Sequence, residues 1–129
     1  MKTILVDAVD TLVIEGQGVY EPMHELLEKY PNRKIILSNA NDEEIVPFSL
    51  TNLPYELFTL KHNPNKTDPK YFETMLKHFN LAVSDVIYFE HNPEAVKSAE
   101  SLGIVSYYYD SDKKDLEALK KFLDQNLIL

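Results

Sequence analysis

The apolar run Ile4-Leu5-Val6 ends on a carboxylate, Asp7, and Thr11 follows four residues later. A buried strand that delivers an aspartate to its carboxyl end presents a nucleophile or a metal ligand, because ligands of open α/β sheets sit at that edge. Asp and Thr are also common in ordinary turns and caps, so the pair alone does not decide between chemistry and a strand-end turn. Three further polar signals follow in fixed order. Ser38-Asn39 closes Ile35-Ile36-Leu37, Lys66 precedes Thr67-Asp68-Pro69, and Glu90-His91-Asn92-Pro93 closes Tyr88-Phe89. Taken singly, Ser38 suits a cap, Asn39 a turn, Lys66 a solvated surface charge, and His91 a partner for a neighbouring carboxylate.

The elements that must position these residues are written in the periodicity. Apolar, β-branched runs at Thr3 to Val6, Lys34 to Leu37, Leu57 to Leu60, Val86 to Phe89 and Ile104 to Tyr108 predict five strands. Between and after them come stripes at helical spacing: Met23, Leu26, Leu27 and Tyr30; Tyr71, Phe72, Met75, Leu76 and Phe79; Ala95, Val96, Ala99 and Leu102; and Leu116, Leu119, Phe122 and Leu123. Asp68-Pro69 and Asn92-Pro93 each place a cap residue before a proline suited to the first helical turn, and Gly103 closes a helix. The segment from Asn41 to Asn52 is expected to be a short or broken helix, because Pro47 removes a helical hydrogen bond. The alternation predicts an α/β fold of three layers, a Rossmann-like five-stranded parallel sheet with helices on both faces.

A chain of 129 residues, 44% hydrophobic and 26% charged, is expected to form one domain over 1–129 with a core of its own. The absence of cysteine excludes disulfides, thiolate metal sites and a cysteine nucleophile. No stretch approaches the length of a membrane span or a signal-peptide core, so a cytoplasmic protein without a membrane partner is expected. The net charge of -8 disfavours nucleic acid as a partner and does nothing to draw phosphate esters from a distance. Any phosphate site must be built from local groups.

In their shared order, Asp7 with Thr11, Ser38-Asn39, Lys66-Thr67-Asp68-Pro69 and Glu90-His91-Asn92-Pro93 resemble the four motifs of the haloacid dehalogenase-like superfamily of phosphatases and related hydrolases, over essentially the whole chain. The resemblance implies a phosphohydrolase or phosphotransferase that forms an aspartyl-phosphate on Asp7. Thr11, Ser38 and Asn39 would bind the phosphoryl oxygens, and Lys66 would neutralise charge on the phosphoryl group and on Asp7. It implies magnesium held by Asp7, the Val9 backbone carbonyl, Glu90 and His91, or a softer divalent ion if His91 ligates, since imidazole is a poor partner for hard magnesium. The intervals Val13 to Met23 and Ser38 to Lys66 leave no room for a cap domain. An open site of this kind implies a phosphorylated substrate, small or macromolecular, or closure by a second copy in a homo-oligomer, with Gly16-Gln17-Gly18 as the candidate flap.

The pattern breaks in two places. Phosphatases of this family carry a second Asp two residues after the nucleophile as general acid and base, and this chain has Val9 there. Losing such a group costs about 10²–10⁴ in rate. Asp10 is adjacent, but an extended backbone would turn it away from Asp7. At the fourth strand the usual Asp is replaced by Glu90-His91. Two alternatives follow: a pseudoenzyme that keeps the fold as a binding or interaction module, and a dehalogenase-like hydrolase, whose relatives have a non-acidic residue at the Val9 position and use no metal.

Overall fold

The computed structural model describes residues 1–127, so the last two residues of the expected 1–129 domain lie outside it. Five parallel strands form the central sheet: β1 (Thr3–Asp7), β4 (Lys34–Ser38), β5 (Glu56–Thr59), β6 (Val86–Glu90) and β7 (Val105–Tyr108), in the order β5-β4-β1-β6-β7. Two short strands, β2 (Val13–Ile14) and β3 (Gly18–Val19), pair antiparallel as a hairpin. Helices are α1 (Glu21–Leu27), α2 (Pro69–Phe79), α3 (Pro93–Ser101) and α4 (Leu116–Leu127). None of the described helices is long and apolar enough to cross a membrane.

Strand alternation sorts the core into two layers. Ile4, Val6, Ile36, Ile87 and Phe89 face α1 and α4, where they meet Met23, Leu27, Leu119 and Leu123. Leu5, Ile35, Leu37 and Tyr88 face α2 and α3, where they meet Tyr71, Phe72, Met75 and Ala99. Each of these side chains is essentially removed from water, worth about 1.5–3 kcal/mol for a residue of Leu or Phe size. The three-layer architecture read from the sequence is the one observed.

Helix starts follow the expected chemistry. Asp68 and Asn92 accept hydrogen bonds from the Lys70 and Glu94 backbone N–H groups, each with proline in the first turn. After α3 the chain turns at Gly103, whose φ of 89° is a left-handed conformation glycine adopts without strain.

The Asn41 to Asn52 segment differs from expectation, being a run of turns rather than a short or broken helix. Asn41 and Glu44 exchange side-chain hydrogen bonds with each other's backbone N–H, and Phe48 N–H reaches the Glu44 carbonyl. A single helix-like turn thus closes around Pro47, after which Ser49 and Asn52 take left-handed φ values of 60° and 55° and no helix propagates.

The chain leaves β1 toward β4 and β5, then crosses back to β6 on the other side of β1 and continues to β7. The carboxyl ends of β1 and β6 therefore flank a switch point, where a crevice opens between connections running in opposite directions. Asp7 ends one strand and Glu90 the other.

Candidate active site

Leu5 and Tyr88 face the α2–α3 layer, so Asp7 and Glu90, two residues further along their strands, emerge on that same side. The loop leading into α2 packs over it and supplies Lys66. All three residues are buried, with exposures of 2%, 0% and 5% for Asp7, Glu90 and Lys66. The Lys66 ammonium donates to Asp7 Oδ1 at 2.6 Å, Glu90 Oε1 at 2.8 Å and the Leu37 carbonyl at 3.2 Å, which uses all three of its protons. Asn39 fixes the loop, its Oδ1 accepting from the Lys66 backbone N–H at 2.7 Å.

Asp7 Oδ2 is equally engaged. It accepts from the Thr11 hydroxyl at 2.7 Å and the His91 backbone N–H at 3.3 Å, and His91 Nδ1 stands 2.5 Å away. Glu90 Oε1 also accepts from the Tyr88 hydroxyl, and Oε2 from the Asn92 backbone N–H at 3.0 Å. Tyr88 was missed at the sequence level, although its place two residues before Glu90 on one strand face signals the contact.

These contacts govern charge. Burial alone would raise the Asp7 carboxyl, but the Lys66 charge, followed by His91, overrides it and holds the group well below the usual carboxylate range. Burial would lower Lys66, and Asp7 and Glu90 hold it well above the ordinary lysine value. The hydrogen bonds to Asp7 and then Glu90 push His91 up to about 10.

A cavity of about 260 Å³ opens over the cluster. Asp7, Val9, Ser38, Asn39, Lys66, Glu90 and His91 line it. Ser38 Oγ accepts from the Ala40 N–H at 3.0 Å, and the Tyr71 hydroxyl braces the Ser38 carbonyl at 2.8 Å. Thr11 is placed differently: it supports Asp7 from beneath and borders a separate hollow beside Asp10 and Tyr20. Glu44, Phe48 and His62 form the outer wall of the cavity. The sequence does not single out any of the three, since the wall comes from a turn and a loop without periodicity. His62 Nε2 lies 2.5 Å from Glu44 Oε1, and Nδ1 lies 2.7 Å from Asn65 Oδ1.

Asp10 stays out of the cavity over Asp7, as expected, but not because the backbone is extended. Residues after β1 form a tight turn, with the Leu12 and Val13 N–H groups both on the Ala8 carbonyl. Asp10 is left-handed at φ 69°, so alternation along an extended strand does not apply. Its Oδ2 lies 3.8 Å from His91 Nε2, on the far side of the ring from Asp7. The candidate flap Gly16-Gln17-Gly18 is the tip of the β2–β3 hairpin.

No family model matches the chain, and no curated protein does. Solved structures match over most or all of it. A protein of unassigned function from Corynebacterium glutamicum superimposes with a TM-score of 0.71 at 18% identity, covering 100% of this chain and 97% of the other. The core domain of a protein assigned as a phosphoglycolate phosphatase from Streptococcus pneumoniae gives 0.62 at 14% identity, covering 96% of each. A protein assigned as a haloacid dehalogenase-like hydrolase from Bacteroides fragilis gives 0.58 at 17% identity, covering 72% of this chain and 48% of that one. The chain has the haloacid dehalogenase-like fold.

Phosphatases of that fold generally use magnesium, and the donor set here meets its demands poorly. Asp7, Glu90 and His91 bring one ligand-type atom each within 4.8 Å of one another. Magnesium demands a near-octahedral oxygen shell with several waters. Here each of the four carboxyl oxygens of Asp7 and Glu90 already accepts a hydrogen bond, which leaves the expected backbone carbonyl of Val9, a residue lining the cavity, as the oxygen outside that network. Two atoms bound to one small ion at about 2.0–2.1 Å lie roughly 3 Å apart. His91 Nδ1 and Asp7 Oδ2, at 2.5 Å, are too close to share one. The residues as arranged do not fit magnesium, or a softer ion ligated by His91 Nδ1.

Proposed function

We propose that this chain is a phosphohydrolase or phosphotransferase of the haloacid dehalogenase-like type, with Asp7 as its nucleophile. The observation that carries this reading is the buried Lys66 ammonium hydrogen-bonded to Asp7 at the floor of an open cavity, at the switch point of the sheet. Lys66 keeps Asp7 ionised and supplies positive charge where an incoming phosphoryl group needs it. Ser38 lines the cavity wall at the end of β4, which supports its hydroxyl as a donor to a phosphoryl oxygen.

In the first step an Asp7 oxygen forms a bond to phosphorus as the ester P–O bond breaks, and the leaving oxygen departs with the electron pair. Water then bonds to phosphorus, the aspartyl–phosphate bond breaks, and both water protons remain on the released dihydrogen phosphate. Nothing at Val9 protonates the leaving oxygen, so this route favours esters whose leaving group is stable as an anion. Aryl and acyl phosphates should therefore turn over at least about 10²-fold faster than alkyl phosphates, the contribution of a general acid. Rates on p-nitrophenyl phosphate, acetyl phosphate and a sugar phosphate, each with Asp7→Asn as control, test this. Equal rates on all three contradict it.

A second reading is favoured by one observation. Both oxygens of Asp7 are held by donors, which lowers their nucleophilicity and suits a module that binds phosphate without turning it over. Saturable phosphate binding with no turnover of any ester in the same panel would select it.

A further inference from the structure

The second break in the motif pattern puts a histidine where the family's metal-facing acid stands, and the structure shows what that side chain does. His91 Nδ1 lies 2.5 Å from Asp7 Oδ2 and 3.3 Å from Glu90 Oε2, bridging the two carboxyl groups that would otherwise share an ion. On the other edge of the ring, Nε2 faces Asp10 Oδ2 at 3.8 Å. Each of these three contacts is to a carboxyl oxygen, an environment that suits a ring with a proton on both nitrogens. Lys66 bridges the same two carboxyl groups from the other side, through Asp7 Oδ1 and Glu90 Oε1. The two acids are thus held between two nitrogen groups that the chain itself supplies.

We propose that the His91 ring stands in place of the divalent ion, so that this site binds no metal and its two acids are held by Lys66 and His91 instead. The departure at the fourth strand is then a replacement rather than a loss. Without an ion, the usual acid at the fourth strand has no task, and a nitrogen donor on Asp7 and Glu90 is what the buried carboxyl groups need instead. The backbone reinforces it, since the His91 N–H also donates to Asp7 Oδ2 at 3.3 Å. For its consequence in catalysis the inference rests on Asp7 being the nucleophile, but metal binding is read without turnover, so the two claims fail separately.

The test uses the wild-type chain first. Ring ¹H–¹⁵N correlation spectra, with the His91 signals assigned by their loss in His91→Gln, are recorded while paramagnetic Mn²⁺ is added to stoichiometric amounts. The His91 signals are expected to show both nitrogens protonated at neutral pH and to stay as sharp as those of the other histidines. Selective broadening of His91 by stoichiometric Mn²⁺ overturns the proposal. Calorimetry with Mg²⁺ is the second arm. His91→Asp, which restores an oxygen donor and removes the ring, is expected to bind Mg²⁺ about tenfold or more tightly than wild type. Equal affinity in the two proteins overturns the assignment of His91 as the group that excludes the ion. Should His91→Asp not fold, the Mn²⁺ spectra decide alone.

Discussion

Two histidine–carboxylate pairs line the same cavity at the same separation, 2.5 Å, and have opposite surroundings. At the floor, His91 meets an Asp7 side chain that is 3% exposed and tied into a network with Lys66, Thr11, Glu90 and Tyr88. At the rim, His62 meets Glu44 with 41% and 27% of their side chains exposed, and the neighbours that join them are Asn65, on the ring, and the Asn41 backbone N–H, on Glu44. The distance is shared, but solvent sets the weight of each pair. Exposed pairs are screened and contribute little, whereas removing one partner from a buried network leaves an uncompensated charge.

The sharpest way to break this contrast is Lys66→Met. It strips the shared cation from two buried carboxyl groups and should destabilise the fold by about 3–5 kcal/mol, read by chemical denaturation. A loss as small as that of a surface lysine would show that the floor network is not dry. Tyr88→Phe removes one donor onto Glu90 and should cost about 1–3 kcal/mol in the same measurement.

The pH dependence of stability separates floor from rim next. His91 is raised from its ordinary 6.5 to about 10 in the folded protein. Its stabilising effect is therefore complete below pH 6.5, declines above it, and is lost as pH rises through about 10. Asp7 has the opposite sign. Its folded value lies below the ordinary 3.8, so its contribution is present above that pH and lost as the solution becomes more acidic. Denaturation midpoints should form a plateau between about 4 and 6.5 and fall on both sides; His91→Gln should flatten the alkaline limb. The smallest effect is expected from His62→Ala, at most about 1 kcal/mol, because the pair it breaks is solvated.

Much of the floor was legible in the sequence because it is built from strand ends. Asp7 and Glu90 close apolar runs, and strand alternation carries them to one side; Lys66 is announced by the Asp68-Pro69 helix start that follows it. His91 as a carboxylate partner was also readable. The rim was not, because Glu44, Phe48 and His62 come from turns whose conformation rests on isolated left-handed residues such as His62, φ 66°, rather than on a repeating pattern. Asp10 does stay outside the Asp7 cavity, but the extended backbone from which that was expected is absent. Its side depends on one positive φ in the turn after β1, and an alternation rule has no purchase on a turn.

The most direct test of Asp7 as nucleophile is acid quenching of the wild-type protein during turnover of p-nitrophenyl phosphate in the presence of a chelator, followed by peptide mass analysis. The account expects a phosphoryl group on the peptide containing Asp7, formed without added metal and absent from Asp7→Asn. Hydrolysis that persists in Asp7→Asn, or that proceeds with no phosphoryl group ever found on Asp7, would contradict it.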